Sequence, residues 1–306
     1  MKEKIIFLTG PTAAGKSEVA VRLARKINAE IISCDSMQIY KGMEVVSSQP
    51  GTRLRKIITH HLLGIVPFSK EYNAAAYRRG ALKKIEQIIK KGKTPLFVGG
   101  TGLYMSVLLD GIFRVKAQDP LLRQRLYRQA EDSGSSFLYE RLLKVDPAAA
   151  AKIHPNDTRR IVRALEVFEI TGKPISLLQK QRKGITDKYD VRIFCLNIER
   201  DKLHQRIAER LDGMFKRGLI AEVKRLFSRQ RLGKTAAAAI GIKELNGYFK
   251  GAYDLSEAKR RMIRNTCLYA KRQLTWFRKD KRIEWIEIGG SEKPTAIANR
   301  IFKEIS

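Results

Sequence analysis

The stretch that most constrains this chain is "KIIFLTGPTAAGKSEVAVRLA", residues 4–24. An apolar, β-branched run enters Gly10-x4-Gly15-Lys16-Ser17, and apolar residues at helical spacing follow. That spacing, with a strand before it and a helix after it, is a phosphate loop. Its glycines let successive backbone N–H groups turn toward one anion, and the start of the following helix adds partial positive charge. Gly10, Pro11, Thr12, Ala13, Ala14, Gly15, Lys16 and Ser17 are therefore expected to cradle phosphate. Lys16 supplies a point charge, and the Ser17 hydroxyl is placed to meet Mg²⁺.

Such a loop belongs to an open parallel sheet, and the rest of the chain supplies one. "AEIISCD", "TPLFVGG" and "VRIFCLNIER" read as further strands, with a short final strand in "RIEWIEI". Ser17 to Ile27 and "AAAYRRGALKKIEQIIKKG" read as helices between them. Alternating strands and amphipathic helices predict an α/β fold, a P-loop NTPase-like parallel sheet flanked by helices. From about 113 to 190 strand patterns vanish, and "PLLRQRLYRQAEDSG", "SSFLYERLLKVDP" and "DTRRIVRALEVFEITG" are helical. The expected division is a core of 1–112 and 191–306 with an all-helical insertion at 113–190. "KTAAAAIG" is too short for more than a loop or a helix start.

Charge narrows the partner. The 306 residues carry 61 Lys and Arg against 31 Asp and Glu, a net charge of +30. Between Arg200 and Arg282 the count is 23 against 8, so this stretch alone carries +15. Concentrated cations imply a polyanion such as RNA or DNA, because they release counterions from a phosphate backbone. No apolar run reaches the roughly 20 residues of a membrane span. The N-terminal apolar stretch is too short for a signal peptide, so a cytoplasmic protein with no membrane contact is expected. Cys34, Cys195 and Cys267 form no CxxC pair, and the four histidines do not cluster as metal ligands.

A nucleotide-hydrolysing protein would place an acid at the end of a second strand to hold the metal. "TPLFVGG" ends instead in Gly99-Gly100-Thr101-Gly102. The carboxylate at a strand's C-terminal end is Asp35, in "AEIISCDSMQIY". Ligands of open α/β sheets bind beyond those strand ends, so Asp35, the phosphate loop and the Gly-Thr turn should converge. Asp35 then suits a base acting on an acceptor; the bland alternative is a turn or helix-capping residue. The loop alone is compatible with ATP and a nucleotide-binding role. A small-molecule or nucleoside kinase, or a non-catalytic RNA-binding protein on the same fold, are the competing classes.

"GPTAAGKS", "ISCDSMQIYKGM", "VGGTGLY", "NDTRRIVRALEVFEITGKPIS", "AAAIGIKEL" and "CLYAKRQLTWFRKD" together resemble the tRNA dimethylallyltransferases, in order and over nearly the whole chain. The resemblance implies transfer of a dimethylallyl group from dimethylallyl diphosphate to N6 of the adenosine immediately 3′ of the anticodon. The cradled phosphate is then the donor's diphosphate, and Mg²⁺ is the implied cofactor. The partner is the tRNA anticodon stem-loop, gripped by the helical insertion, and a monomer is expected.

The same resemblance assigns roles. Asp35 would orient the adenine amine and accept its proton, with Ser36, Met37 and Gln38 following it against tRNA. Thr12 and Thr101 would lie near the diphosphate or the acceptor, and Arg210 would hold the diphosphate. Arg206 and Arg210 are i, i+4, so one helix face could carry both, or both could lie on a solvated face. Arg123, Arg159, Arg160, Ile161, Val162 and Arg163 match RNA-contacting positions of the insertion, and Lys243, Lys271, Arg272 and Gln273 would extend that surface. Ile242 stands where the family usually has an aromatic, and Cys267 where it has an arginine. Gly99, Gly100 and Gly102 would admit substrate to the backbone or serve only a tight turn. Leu274, Trp276 and Phe277, at helical spacing, read as core.

Overall fold

The computed structural model describes residues 2–113, 119–229 and 231–305. The chain enters β1 (Lys4–Thr9), crosses the phosphate loop into α1 (Lys16–Lys26) and returns along β2 (Ala29–Ser33). Short elements follow: β3 (Tyr40–Lys41), α2 (Thr52–Ile57), β4 (His60–His61) and β5 (Val66–Pro67). Then come α3 (Ala74–Ile89), β6 (Thr94–Val98) and α4 (Gly102–Leu109). The helical stretch holds α5 (Pro120–Val145), α6 (Pro147–Ala150), α7 (Thr158–Thr171) and α8 (Ile175–Lys180). The core resumes with β7 (Asp190–Ile198), α9 (Arg200–Lys216), α10 (Leu219–Arg229), α11 (Lys234–Ala237) and α12 (Ile242–Phe249). It closes with α13 (Leu255–Phe277), β8 (Ile283–Ile288) and α14 (Pro294–Ile305).

The sheet runs β4-β2-β6-β1-β7-β8, parallel at every pairing. Its central strands are buried on both faces, which is why they read as continuous apolar runs. Alternate residues of β1 serve opposite layers, as the pleat requires. Ile6 and Leu8 join Val19, Leu23 and Ala24 of α1 and Ile297, Ala298 and Ile301 of α14 in one cluster. Phe7 stacks on Phe97 of β6, with ring centroids 4.6 Å apart. Tyr77 of α3 and Tyr104 of α4 stack at 3.9 Å.

Two compact units emerge, Met1–Leu109 with Lys188–Ser306, and Asp110–Asp187. These boundaries fall three residues before those expected at 113 and 190. The smaller unit is helical, and Leu126, Leu138, Leu142, Ile161 and Leu165 form its core. Its two expected first helices meet in α5 at Gly134, whose φ of 81° and ψ of 159° break the helical path.

Two features lay beyond sequence reading. His60 and His61 form the edge strand β4, and β3 pairs with β5 as a separate ribbon. "KTAAAAIG", expected as a loop or a helix start, contains the four-residue helix α11. Two-residue strands carry no periodic signal, so only their partners reveal them.

Candidate active site

All elements that build the site lie in the larger unit. The turn after β1 is held open by backbone shape. Gly10 sits at φ 141°, where a Cβ would come within 2.8 Å of the Leu196 carbonyl oxygen of β7. Gly15, at φ 85°, caps α1, and no side chain bonds to the cap. The first N–H groups of α1 are therefore left to bind an anion. Lys16 Nζ folds back to donate to the carbonyls of Gly10 (3.0 Å) and Pro11 (2.7 Å).

The turns after β2 and β6 meet the loop. Asp35 Oδ1 accepts from the N–H groups of Met37 (2.8 Å) and Gln38 (3.3 Å), which forms a tight Asx turn. The turn expected as one reading of Asp35 is present, and the residue also lines the cavity. Thr101 Oγ1 accepts from the Ser36 N–H at 3.0 Å and donates to Ser36 Oγ at 3.3 Å. Tyr269 of α13 lines the cavity, and burial pushes its phenol well above the usual range.

A cavity of about 750 Å³ is lined by the phosphate loop, Asp35, Gln38, Gly99 and Tyr269; Ser36, Met37 and Thr101 stand outside its lining. Thr12 through Ser17, Asp35, Gln38 and the α9 residues Arg206 and Arg210 share its lining. Arg206 and Arg210 therefore share the cavity-facing side of α9, as their spacing allowed. Arg210 Nη1 donates to Thr12 Oγ1 at 2.6 Å and Nε to Ser48 Oγ at 3.0 Å. Ile31, Leu54, Leu63 and Val98 supply an apolar portion of the lining.

The electrostatics suit a multivalent anion. The Lys16 ammonium is lowered to about 8, chiefly by burial and then by Arg210, while Asp35 opposes the shift. Burial likewise lowers Arg210, and Asp35 counteracts it. Two cations crowded in a covered site repel each other, and an anion bound between them relieves both. Among the described residues no group of three or more His, Cys, Asp or Glu could hold a metal ion.

Several expected contacts are corrected. Gln273 is 5% exposed and acts as an internal strut, accepting from Thr12 N (2.9 Å) and donating to the Gly100 carbonyl (2.8 Å). It clamps the phosphate loop to the β6 turn and lines the cavity rather than the outer surface. Ile161 and Val162, 0% and 1% exposed, face the core of the smaller unit, so they do not touch RNA. Arg123 and Arg163 both bond to buried Glu166, at 2.8 and 2.7 Å. Arg159 and Arg160 remain exposed on α7, as do Lys243, Lys271 and Arg272 in the larger unit.

The glycine turn also has a packing cause. A Cβ at Gly99 would lie 2.1 Å from the Cys34 carbonyl oxygen, and one at Gly100 2.1 Å from Gln273 Nε2. Gly102 backs onto the Trp276 ring, which is 39% exposed and not core, unlike buried Phe277. Ile242 is buried and Cys267 half-buried against the main cluster. Sequence reasoning missed Ser48, Gln49, Arg217 and Tyr269 in the lining. Only Tyr269 carried a signal, because it stands one helical turn before Gln273 on α13.

A parallel sheet whose first turn is an anion-cradling loop, with Asp35 after β2 and glycines rather than an acid after β6, places the chain among P-loop proteins. Comparison with known proteins names the group within that class. A family model described as IPP transferase matches residues 38–280, and one described as isopentenyl transferase matches 3–59. A tRNA dimethylallyltransferase of Carboxydothermus hydrogenoformans is 44% identical over 305 residues, covering 99% of this chain and 98% of the relative. Its counterpart in Bacillus subtilis is 42% identical over 289 residues, covering 94% and 91%. The solved tRNA isopentenylpyrophosphate transferase of Bacillus halodurans superposes with a TM-score of 0.72 at 36% identity, covering 99% and 97%. A eukaryotic dimethylallyltransferase solved acting on tRNA gives 0.80 at 32% identity, covering 93% of this chain and 74% of that one. The chain belongs to the IPP transferase family.

Proposed function

We propose that this chain transfers a dimethylallyl group from dimethylallyl diphosphate to N6 of the adenosine immediately 3′ of the anticodon in tRNA. The products are N6-dimethylallyladenosine and diphosphate. The observation that carries this reading is the shared cavity. Asp35 borders the same space as the phosphate loop, and Arg210 reaches across to Thr12.

In the reaction, N6 forms a bond to C1 of the donor. The C1–O bond breaks, its electron pair leaves with the diphosphate, and the N6 proton passes to the Asp35 carboxylate. An exocyclic amine is a weak nucleophile because its lone pair is delocalised into the ring, so an oriented base assists it. Oδ1 is engaged in the Asx turn, which holds the side chain in place; the carboxylate's second oxygen, Oδ2, suits the proton. The Lys16 ammonium, the Arg210 guanidinium and the start of α1 stabilise charge developing on the leaving group. Thr101, bonded to Ser36, braces the turn that carries Asp35.

The donor set fits Mg²⁺ in a limited way. Ser17 contributes one hydroxyl to the lining, and Mg²⁺ commonly takes one or two protein ligands while keeping waters and phosphate oxygens. Ser17 would hold the ion with the diphosphate, and the ion would supply charge neutralisation for the leaving group.

A base stacked in a helix is beyond reach, so the acceptor must be drawn out of a single-stranded loop. Arg159 and Arg160 on the smaller unit, and Lys243, Lys271 and Arg272 on the larger, supply exposed cations for the anticodon arm. No helix among the described residues is long and apolar enough to cross a membrane. A monomer in the cytoplasm agrees with this reading.

The test is mass spectrometry of tRNA nucleosides after incubation with dimethylallyl diphosphate, beside a parallel incubation with ATP. N6-dimethylallyladenosine at the position 3′ of the anticodon is the expected product. Phosphate transfer from ATP without prenyl transfer would overturn the reading in favour of a kinase.

A further inference from the structure

One acid of α10 turns inward. Glu222 is 6% exposed. Its two oxygens accept from the Val45 N–H at 2.8 and 3.1 Å, and one of them accepts from the Val46 N–H at 2.7 Å. A covered carboxylate is costly unless N–H groups saturate it, and these two belong to no helix or strand. The carboxylate therefore fastens a loop that the sheet does not hold.

That loop continues to Ser48, whose φ of 48° is rare for a serine. Internal bonds fix the bend: Ser47 Oγ donates to the Met43 carbonyl at 2.6 Å, and Ser48 N to the Val45 carbonyl at 2.9 Å. In this conformation Ser48 faces two ways. Its hydroxyl accepts from Arg210 Nε at 3.0 Å, and its carbonyl accepts from Gln38 Nε2 at 3.2 Å. Gln38 N in turn reaches Asp35 Oδ1. One bend thus joins the anion side of the cavity to the base side.

We propose that Glu222 and Ser48 are positioning residues, with Glu222 holding the 43–49 loop and Ser48 aiming the Arg210 guanidinium at the diphosphate. The inference rests on the prenyl-transfer reading for its substrate. A guanidinium has several donors but needs one orientation to meet phosphate oxygens in parallel. Thr12 anchors one end of the fork and Ser48 the other, so loss of either anchor frees a long side chain to rotate.

The experiment is a double-mutant cycle read by calorimetric binding of inorganic pyrophosphate, with melting temperature recorded for every variant. Ser48→Ala should weaken pyrophosphate roughly five- to ten-fold, the usual scale for one net hydrogen bond. Added to Arg210→Ala it should cost nothing further. Glu222→Ala should weaken binding to a similar degree, and Glu222→Gln should restore it to within about two-fold, because one amide oxygen can accept both N–H groups. Wild-type affinity in Ser48→Ala, or an undiminished Ser48 effect in the Arg210→Ala background, would overturn the proposal. If Glu222→Ala does not fold, the Ser48 cycle decides alone. Absence of prenyl transfer by the wild-type protein would sink the functional reading, yet leave the pyrophosphate cycle as decisive as before.

Discussion

Arg210 and Thr12 lie 198 residues apart in sequence, yet the guanidinium Nη1 donates to the threonine hydroxyl at 2.6 Å. The bond joins the middle of α9 to the bend of the phosphate loop, so one side chain senses both the helix position and the anion seat. Loss of Arg210 should therefore act on charge and on loop geometry together. Arg210→Ala is expected to lower kcat/KM for the prenyl donor by about 100-fold, the scale of a single preorganised charge contact. Arg210→Lys should recover little, since an ammonium cannot hold two anchors and a phosphate in one plane. Steady-state prenyl transfer at varied donor concentration checks both.

Asp35 permits a cleaner separation of chemistry from structure. Asn in its place keeps a carbonyl oxygen for the Met37 and Gln38 N–H groups, so the Asx turn survives. It cannot accept a proton at catalytic rates. Asp35→Asn should lower kcat by about 10²- to 10⁴-fold with an unchanged melting temperature and donor affinity. Single-turnover kinetics with prebound donor and tRNA gives the measurement, and near-native kcat would remove Asp35 as the base.

Lys16 makes anion binding sensitive to pH. Burial, then Arg210, lowers its ammonium from 10.5 to about 8 in the unliganded site. Affinity for an anion should therefore fall as pH rises through about 8. Sulfate, whose charge is constant in this range, is a suitable probe by calorimetry. The stability term has the opposite direction. Between about 8 and 10.5 the unfolded chain holds this proton and the folded one does not, so this group's contribution to stability rises with pH. Lys16→Arg should flatten the sulfate profile up to pH 10, because arginine stays charged.

The basic residues of α7 should divide into two kinds. Arg160, 60% exposed and only 3.3 Å from partly exposed Asp157, is available to RNA at little cost. Arg160→Ala should reduce the slope of log affinity for tRNA against log salt by about one contact, a change of roughly 0.7–0.9. Arg163 serves Glu166, which is 0% exposed. Arg163→Ala should lower the stability of the smaller unit by about 1–2 kcal/mol while Arg123 still partners the acid. Filter binding across a salt series and thermal unfolding separate the two outcomes.

Gly99 tests the junction of the β2 and β6 turns. A methyl group there would meet the Cys34 backbone, 2.1 Å from its oxygen and 2.3 Å from its carbonyl carbon. Backbone cannot swing aside as a side chain can, so Gly99→Ala should cost at least about 3 kcal/mol. Urea unfolding measures this, and a loss under about 1 kcal/mol would show that the turn yields.

The amino-acid sequence by itself determined whatever depends on local spacing. The phosphate loop, the long strands and helices, the helical insertion and the concentration of charge after Arg200 all follow from neighbours within about 20 residues. The placement of Asp35 was legible for the same reason, since it follows an apolar strand and no acid follows the next. Tertiary structure decided which side chains meet. Gln273 was expected at the RNA surface and instead braces the phosphate loop, because the face of α13 that carries it packs inward. Ser48 and Glu222 had no signature, for a carboxylate on one helix and a bend 174 residues earlier share no period. Burial made the same selection among the arginines: an acid enclosed by the fold must keep its cations, so Arg123 and Arg163 stay with Glu166 while Arg160 remains at the surface.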